Sequence, residues 1–516
     1  MSYFVAGIIK IMILQAHAAA QLFDRLLGER YQSARTWALR GLTALMVLAW
    51  CNFGGLRGGF TLVHQWEQFH FYLGAKYQKE VGSFDLYKAT LLADREAVHA
   101  LNNVQQMRNI HTFELEPIDV AMADADRVRG RFSDARWEEF KADWSRMATI
   151  PMDWGRVLTD HGNSNSPAWA LIAHPIAEAL PLNAGNQQLI GLIDLALMAV
   201  LWITIFRTFG EKVALAGLFF FAAPPFVFDY LAGSFLRWDW IFCLGMAICM
   251  MKKERWLAAG LFFGFAVATK LFPLWFGVAL LIRAVYVFLR SRKVEQRYLR
   301  FLAGTVATGA LSVILSTAMF GGLWVWQEYR ERIQVAQVEK FYSIQYSLRT
   351  VYLQVTESRG GELLETWYAP REIKQARADV NIEDHAFGFL LARLAFTALV
   401  ALLIVRADDI QAFVLGPLLV FTWLVVNMYY WNMFGLMALG LALRREQKPA
   451  MAALVLLHAP FMNFYLYQHL NNGMSEGYIS SVFLIAWMLF WAWSEYRELK
   501  GTLKEQVLGA PAPSGA

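Results

Sequence analysis

The segment His64–Tyr87, HQWEQFHFYLGAKYQKEVGSFDLY, sets one carboxylate, Glu67, among His64, Trp66, His70 and Tyr72, just beyond the first apolar run of membrane length. A carboxylate there sits at the boundary of water and lipid, where a lipid-borne substrate would present its head group. Partial loss of water lets such a group accept a proton, and general-base chemistry is the function expected of it. The bland reading is a solvated loop acid. His64, Glu67 and His70 are spaced i, i+3, i+6, which on a helix turns the two histidines well apart. The metal-binding HExxH pattern instead places its histidines four apart on one face, so no metal is expected here.

Cations are the second requirement of group-transfer chemistry on a lipid phosphate. Lys270 in ATKLFP and Arg237 in FLRWDW lie at membrane depth, where an ionised side chain is costly and usually faces a cavity or a partner. Both fit phosphate binding; snorkelling of Lys270 and pairing of Arg237 with Asp239 are the plainer accounts. Pro273 should end the helix beside Lys270. Arg349 in YSIQYSLRTVY stands among hydroxyls and amides, Gln345 included, a combination suited to sugar hydroxyls and an anionic phosphate. Asp160 and His161 in TDHGNSNSP form a polar turn that could hold substrate or be turn chemistry alone. Asp85 and Asp94 are weaker candidates, since nothing adjacent argues for their burial.

These residues must be positioned by membrane helices. Of 516 residues 57% are hydrophobic and only 17% charged, against roughly 25% charged in a soluble domain. The expected fold is an all-α polytopic integral membrane protein with about 12 transmembrane helices and two long outer-face loops. The apolar runs lie near 38–54, 187–206, 212–231, 236–251, 256–270, 271–290, 299–322, 386–405, 410–427, 430–443, 449–467 and 478–494. With this division one side collects Arg207, Lys212, Lys252, Lys253, Arg255, Arg290, Arg292, Lys293, Arg297, Arg300, Arg406, Arg444, Arg445 and Lys448, while the short loops opposite hold only Arg237. Positive charge marks the cytoplasmic side, so the long loops 56–185 and 323–385 face outward and both termini inward.

Residues 1–35 read as a cytoplasmic or interfacial N-terminal helix, because Lys10, Gln15 and His17 interrupt the apolar stretch 3–23. A membrane domain covers 36–496 and a cytoplasmic tail 497–516, disordered from Gly509 onward. Trp137, Phe140, Trp144 and Met147 recur at helical spacing, and packing beneath the loop's own surface is favoured over lying on the bilayer. Residues 165–182 are too short and too interrupted by proline for a span; a helix dipping into the outer leaflet is expected. The net charge of +5 is scattered between apolar runs, which gives no support for nucleic-acid binding. Cys51, Cys243 and Cys249 fall inside the apolar runs and read as small buried hydrophobes.

Taken together, EQFHFYLGAKY (Glu67–Tyr77) with DLY (Asp85–Tyr87), SPAWALIAHPIAEALP, ATKLFP (Ala268–Pro273) and IQYSLRTVY (Ile344–Tyr352) resemble the GT-C superfold of polytopic glycosyltransferases. The resemblance is closest to glycosyltransferase family 87, the polyprenol-phosphate-mannose type, and covers nearly the whole chain. It implies a polyprenyl-phosphate-sugar donor, a glycan or glycolipid acceptor, a plasma-membrane location with the site facing the periplasm or cell exterior, and an acidic base in the first long loop. Mapped here that base is Glu67, where the family usually has Asp. The implied reaction is an inverting transfer with Lys270, Arg349 and Arg237 on the donor phosphate and no metal or other cofactor. His64, His70, Tyr72, Asp160, His161 and Gln345 would then bind substrate. The rival readings are a transporter or flippase of lipid-linked saccharides and a non-catalytic glycan-assembly subunit.

Overall fold

A computed structural model describes residues 3–26, 31–56, 62–224, 233–338, 345–357, 382–467 and 474–508. The protein is an all-α membrane protein. Among the described residues seven helices are long and apolar enough to cross a membrane: Phe4–Phe23, Ala184–Phe209, Leu274–Ser291, Gln296–Phe320, Ala386–Val405, Lys448–Leu466 and Gly477–Lys500. Trp256–Thr269 and Asp409–Trp423 are shorter apolar helices. Six of these fall on the dozen apolar runs and the seventh is the N-terminal helix; other runs form shorter helices, such as Asp239–Lys252, Trp256–Thr269 and Phe434–Leu443. The runs near 256–270 and 271–290 part at Lys270, whose backbone is extended, and helix resumes after Pro273. Where the runs near 410–427 and 430–443 meet lie the two-residue strand Val426–Asn427 and a 3-10 segment, Met428–Met433. Part of the run 212–231, part of the second long loop and the tail 509–516 lie outside the described residues.

The N-terminal helix, Tyr3–Leu26, differs from the interfacial element expected. Its polar positions Lys10, His17 and Gln21 are turned inward and buried, and His17 Nδ1 lies 2.8 Å from His458 Nε2. An interfacial helix would keep such residues in water.

A second core, separate from the main one, is built mostly from 69–182, with Ile190, Phe235, Leu236, Phe320 and Val325 packed into it. Trp137, Phe140, Trp144 and Met147 on the Asp134–Ala148 helix are all fully buried in it, as packing beneath the loop requires. Ser133 caps that helix and Ser166 caps Pro167–Ala179, each hydroxyl accepting a backbone N–H that the first turn leaves unpaired. A small antiparallel pair, Gln106–Arg108 with Leu115–Pro117, completes the unit.

Asp85 and Asp94 are buried, contrary to the expectation that nothing encloses them. Asp85 accepts hydrogen bonds from Arg127, and Asp94 accepts from the Ala100 and Leu101 amides and from Trp144 Nε1. Both hold the fold, and neither lines the cavity described below. Their partners lie beyond the immediate sequence window, which is why burial was not legible.

Lys76 and Asp143 form a buried pair at 2.6 Å, joined by Tyr77 Oη at 2.8 Å. Lys76 also reaches Glu139 at 2.7 Å. Asp143→Ala should therefore cost toward the lower end of the about 3–5 kcal/mol expected for breaking a buried pair. Asp134→Ala, whose carboxylate is 96% exposed, should cost almost nothing. Thermal unfolding in detergent checks the contrast, and equal midpoints for the two variants would contradict it.

Candidate active site

Glu67 is set by its own short helix, Gln65–Gln68, which His64 caps: the Glu67 amide donates to His64 Nδ1 at 3.1 Å. A widened π turn, Phe69–Leu73, follows directly. Such turns recur at functional sites because they re-aim the next side chains. His70 Nδ1 donates to the Trp66 carbonyl at 3.0 Å, which leaves Nε2 to accept from Tyr87 Oη at 2.8 Å. That fixes one neutral tautomer, and burial further holds the His70 pKa below its usual value.

The partner of Glu67 arrives from far along the chain. Gly233 accepts hydrogen bonds at its carbonyl from the His64 amide and from Gln68 Nε2, each at 3.0 Å. Its φ of +77° is a left-handed conformation, and a Cβ there would stand 2.4 Å from the Leu62 carbonyl oxygen. Only glycine fits this seam. Trp169 Nε1 then donates to the Leu236 carbonyl at 3.0 Å, and Asp194 accepts the Trp238 amide at 3.1 Å. Between these anchors Arg237 Nη1 meets Glu67 Oε1 at 2.6 Å. Its guanidinium also lies over the rings of Tyr429 and Phe71, 5.3 and 5.6 Å from their centroids.

Burial pushes the Glu67 carboxyl up, but Arg237, His64 and His70 together outweigh it, and the pKa falls below the usual 4.5. Asp160 behaves alike. Burial raises it, while His161, His70 and the Trp66 Nε1 bond of 2.7 Å bring it well below the ordinary carboxylate range. Both groups are anionic at neutral pH.

These side chains line a cavity of about 830 Å³, closed on one side by the 62–182 unit and on the other by membrane-helix termini. Of the residues singled out in the sequence, it gathers His64, Glu67, Asp160, His161, Arg237, Lys270 and Gln345. Lys270 Nζ donates to Asn165 Oδ1 at 2.8 Å. Gln345 is brought in by a two-residue antiparallel pairing in which it faces Asn427.

Four expectations are corrected. Tyr72 is buried with its hydroxyl donating to the Leu180 carbonyl at 2.9 Å, so it anchors a helix end and does not reach the cavity. His70 is not among the described lining residues; it is held behind the cavity by the Trp66 carbonyl and the Tyr87 hydroxyl. Arg349 begins the Leu348–Glu357 helix, within electrostatic reach of Arg393, and is absent from the described lining. Arg237 pairs with Glu67 rather than Asp239.

Sequence reasoning missed Arg108, Arg156, Arg332, Asn427, Tyr429 and Tyr430, all of which line the cavity. The polar cluster NMYYWN between two apolar runs was the available signal for the last three. Asn165 Nδ2 and Asn427 Oδ1 are buried with no hydrogen-bond partner among the described residues, which offers a donor and an acceptor to a polar ligand. Among the described residues no group of three or more His, Cys, Asp or Glu converges as a metal site. Comparison with protein-family models, curated proteins and solved structures found no match.

The depressed Glu67 pKa carries a sign. A carboxyl whose folded value is lowered contributes stability above its unfolded value, and that contribution is lost as pH falls through the folded one. Glu67→Gln should lower the thermal midpoint at pH 7 by an amount that persists to about pH 5 and is lost as pH falls further, through the lowered folded value. Because both side chains keep some water contact, the loss should be about 1–3 kcal/mol, less than for a fully buried pair. A difference that grows on acidification would contradict the pairing.

Proposed function

We propose that the protein is a polytopic, inverting glycosyltransferase that moves a sugar from a polyprenyl-phosphate donor to a glycan or glycolipid acceptor at the outer face of the membrane. The observation that carries this reading is the convergence of a half-buried carboxylate, Glu67, with Arg237 and Lys270 in one cavity bounded by membrane-helix ends. A prenyl chain would lie among the helices, with its phosphate at Arg237 and Lys270. The Asn165 and Asn427 amides and Gln345 would meet sugar hydroxyls.

The step balances as a single displacement. The Glu67 carboxylate takes the proton of the acceptor hydroxyl, and the acceptor oxygen forms its bond to the anomeric carbon. The bond from that carbon to the phosphate oxygen breaks on the opposite face, and its electron pair leaves on polyprenyl monophosphate. The leaving group gains negative charge, which Arg237 and Lys270 stabilise where it develops.

The Glu67–Arg237 pair joins the two halves of this step. A glutamate held this low is a weak base, but a phosphodiester drawn to Arg237 shares the guanidinium and lets the carboxyl rise toward its ordinary value. The base is thus strengthened by the substrate whose reaction it serves.

Purified protein in lipid nanodiscs, given a radiolabelled polyprenyl-phosphate hexose and a lipid-extract acceptor, should transfer label. Glu67→Gln should lower the rate by about 10² to 10⁴, the range of general-base catalysis, while leaving donor binding in place. Unchanged turnover in that variant would remove Glu67 from the mechanism. Donor binding by the wild type without turnover would favour the transporter or assembly-subunit reading.

A further inference from the structure

A second cavity, of about 610 Å³, opens on the outer unit beside the first, within the roughly 300–1,000 Å³ of small-molecule sites. Asn103, Gln105 and Gln106 line it with exposed amide side chains, together with Asp153, Trp154 and Thr159. A side-chain amide carries donors and an acceptor in one plane, which suits the neighbouring hydroxyls of a sugar ring. Asp153 is already engaged: it caps the Trp154–Leu158 helix, its Oδ1 accepting the Arg156 amide at 3.0 Å.

The two cavities are built on the same two elements. Side chains alternate in direction along the strand Gln106–Arg108, so Gln106 and Arg108 share a face. Gln106 lines the second cavity and Arg108 the first. The Trp154–Leu158 helix divides likewise, with Trp154 and Gly155 on the second cavity and Arg156 on the first. Thr159 lines both. Arg108 Nε fastens the strand to this helix end by donating to the Thr159 carbonyl at 2.8 Å, and the Thr159 hydroxyl donates to the Arg156 carbonyl at 2.9 Å. The next residue, Asp160, accepts from Trp66 Nε1 beside Glu67. A chain of sugars whose end lies at Glu67 therefore has a continuous polar path past Thr159 onto the outer unit.

We infer that this groove is a subsite for the non-reacting sugars of the acceptor, and that the acceptor is a glycan chain of several units held by its hydroxyls. The word acceptor rests on the glycosyltransferase reading; the groove itself rests on its amides and on its continuity with the first cavity at Thr159. A sugar chain presents hydroxyls at every unit, whereas a peptide does so only at Ser, Thr or Tyr, so continuity with the Glu67 cavity favours the glycan.

Saturation-transfer NMR on the full chain in nanodiscs provides the test. The probes are mannose and glucose, the tetrasaccharides mannotetraose, maltotetraose and cellotetraose, tetraserine as a peptide, and farnesyl phosphate as a lipid phosphate. At least one tetrasaccharide should bind about tenfold more tightly than its monosaccharide, the effect of about two neutral hydrogen bonds. Asn103→Ala combined with Gln106→Ala, at exposed positions where folding is not at stake, should remove that advantage and leave the monosaccharide and farnesyl phosphate unchanged. Gly155→Phe is an independent block. A Cβ there would stand 3.5 Å from Asp153 Oδ1 and 3.7 Å from Val104 Cγ2, ordinary contacts beside the groove, so the fold accepts the side chain and the tetrasaccharide loses its space. A tetrasaccharide no tighter than its monosaccharide, an advantage that survives either variant, or tetraserine binding more tightly than every tetrasaccharide would each overturn the subsite. If the tetrasaccharide advantage depends on these residues while radiolabelled donor is not turned over, the transferase reading falls and the glycan groove stands. Turnover with no gain from acceptor length overturns the groove and leaves the transferase reading in place.

Discussion

The contact between Glu67 and Arg237 is the constraint on which the site depends, because neither charge is tolerable alone at the depth where both are held. Their meeting is set by backbone, before side chains enter. Gly233 must be glycine for the 233–238 segment to press against Leu62 and His64. Trp169, Asp194 and Gln68 then clamp that segment through hydrogen bonds to its main chain. The ion pair is the consequence of a seam in which the 233–238 main chain is gripped by the His64 amide and by the Trp169, Asp194 and Gln68 side chains.

That seam also joins the two cores of the protein. The unit within 69–182 is an ordinary water-excluding core, closed by Trp137, Phe140 and Trp144 and by buried pairs such as Lys76 with Asp143. The other core belongs to the long apolar helices. Charged side chains collect where the two meet, because there the backbone leaves helical geometry, at Lys270–Pro273 and Val426–Met433, and can serve a polar cavity. Irregular backbone beside membrane helices is stable only where it is enclosed by protein or lines such a cavity.

Much of this was legible in the sequence, for identifiable reasons. The all-α membrane class follows from apolar runs, and the break at Lys270–Pro273 follows from proline chemistry. Glu67, Arg237 and Lys270 stood out because charge beside aromatics or at apolar depth is expensive, and Asp160 because it sits in a compact polar turn. What was not legible is pairing across the chain. The apolar runs did not disclose that several helices are short, since strands and 3-10 turns of hydrophobic residues look alike in composition. Arg108 and Arg332 looked like ordinary charges of polar segments, and only folding shows them buried. Tyr72 failed as a site residue for the converse reason: a neighbour in sequence to the right residues, it points to the Leu180 carbonyl.

The most direct measurement is an experimental structure in a lipid nanodisc with a polyprenyl phosphosugar bound. The account predicts its phosphate between Arg237 and Lys270, with Glu67 positioned so that an acceptor oxygen could stand about 3–3.5 Å from the anomeric carbon. A phosphate bound elsewhere, with the Glu67–Arg237 contact intact and remote from the sugar, would contradict it.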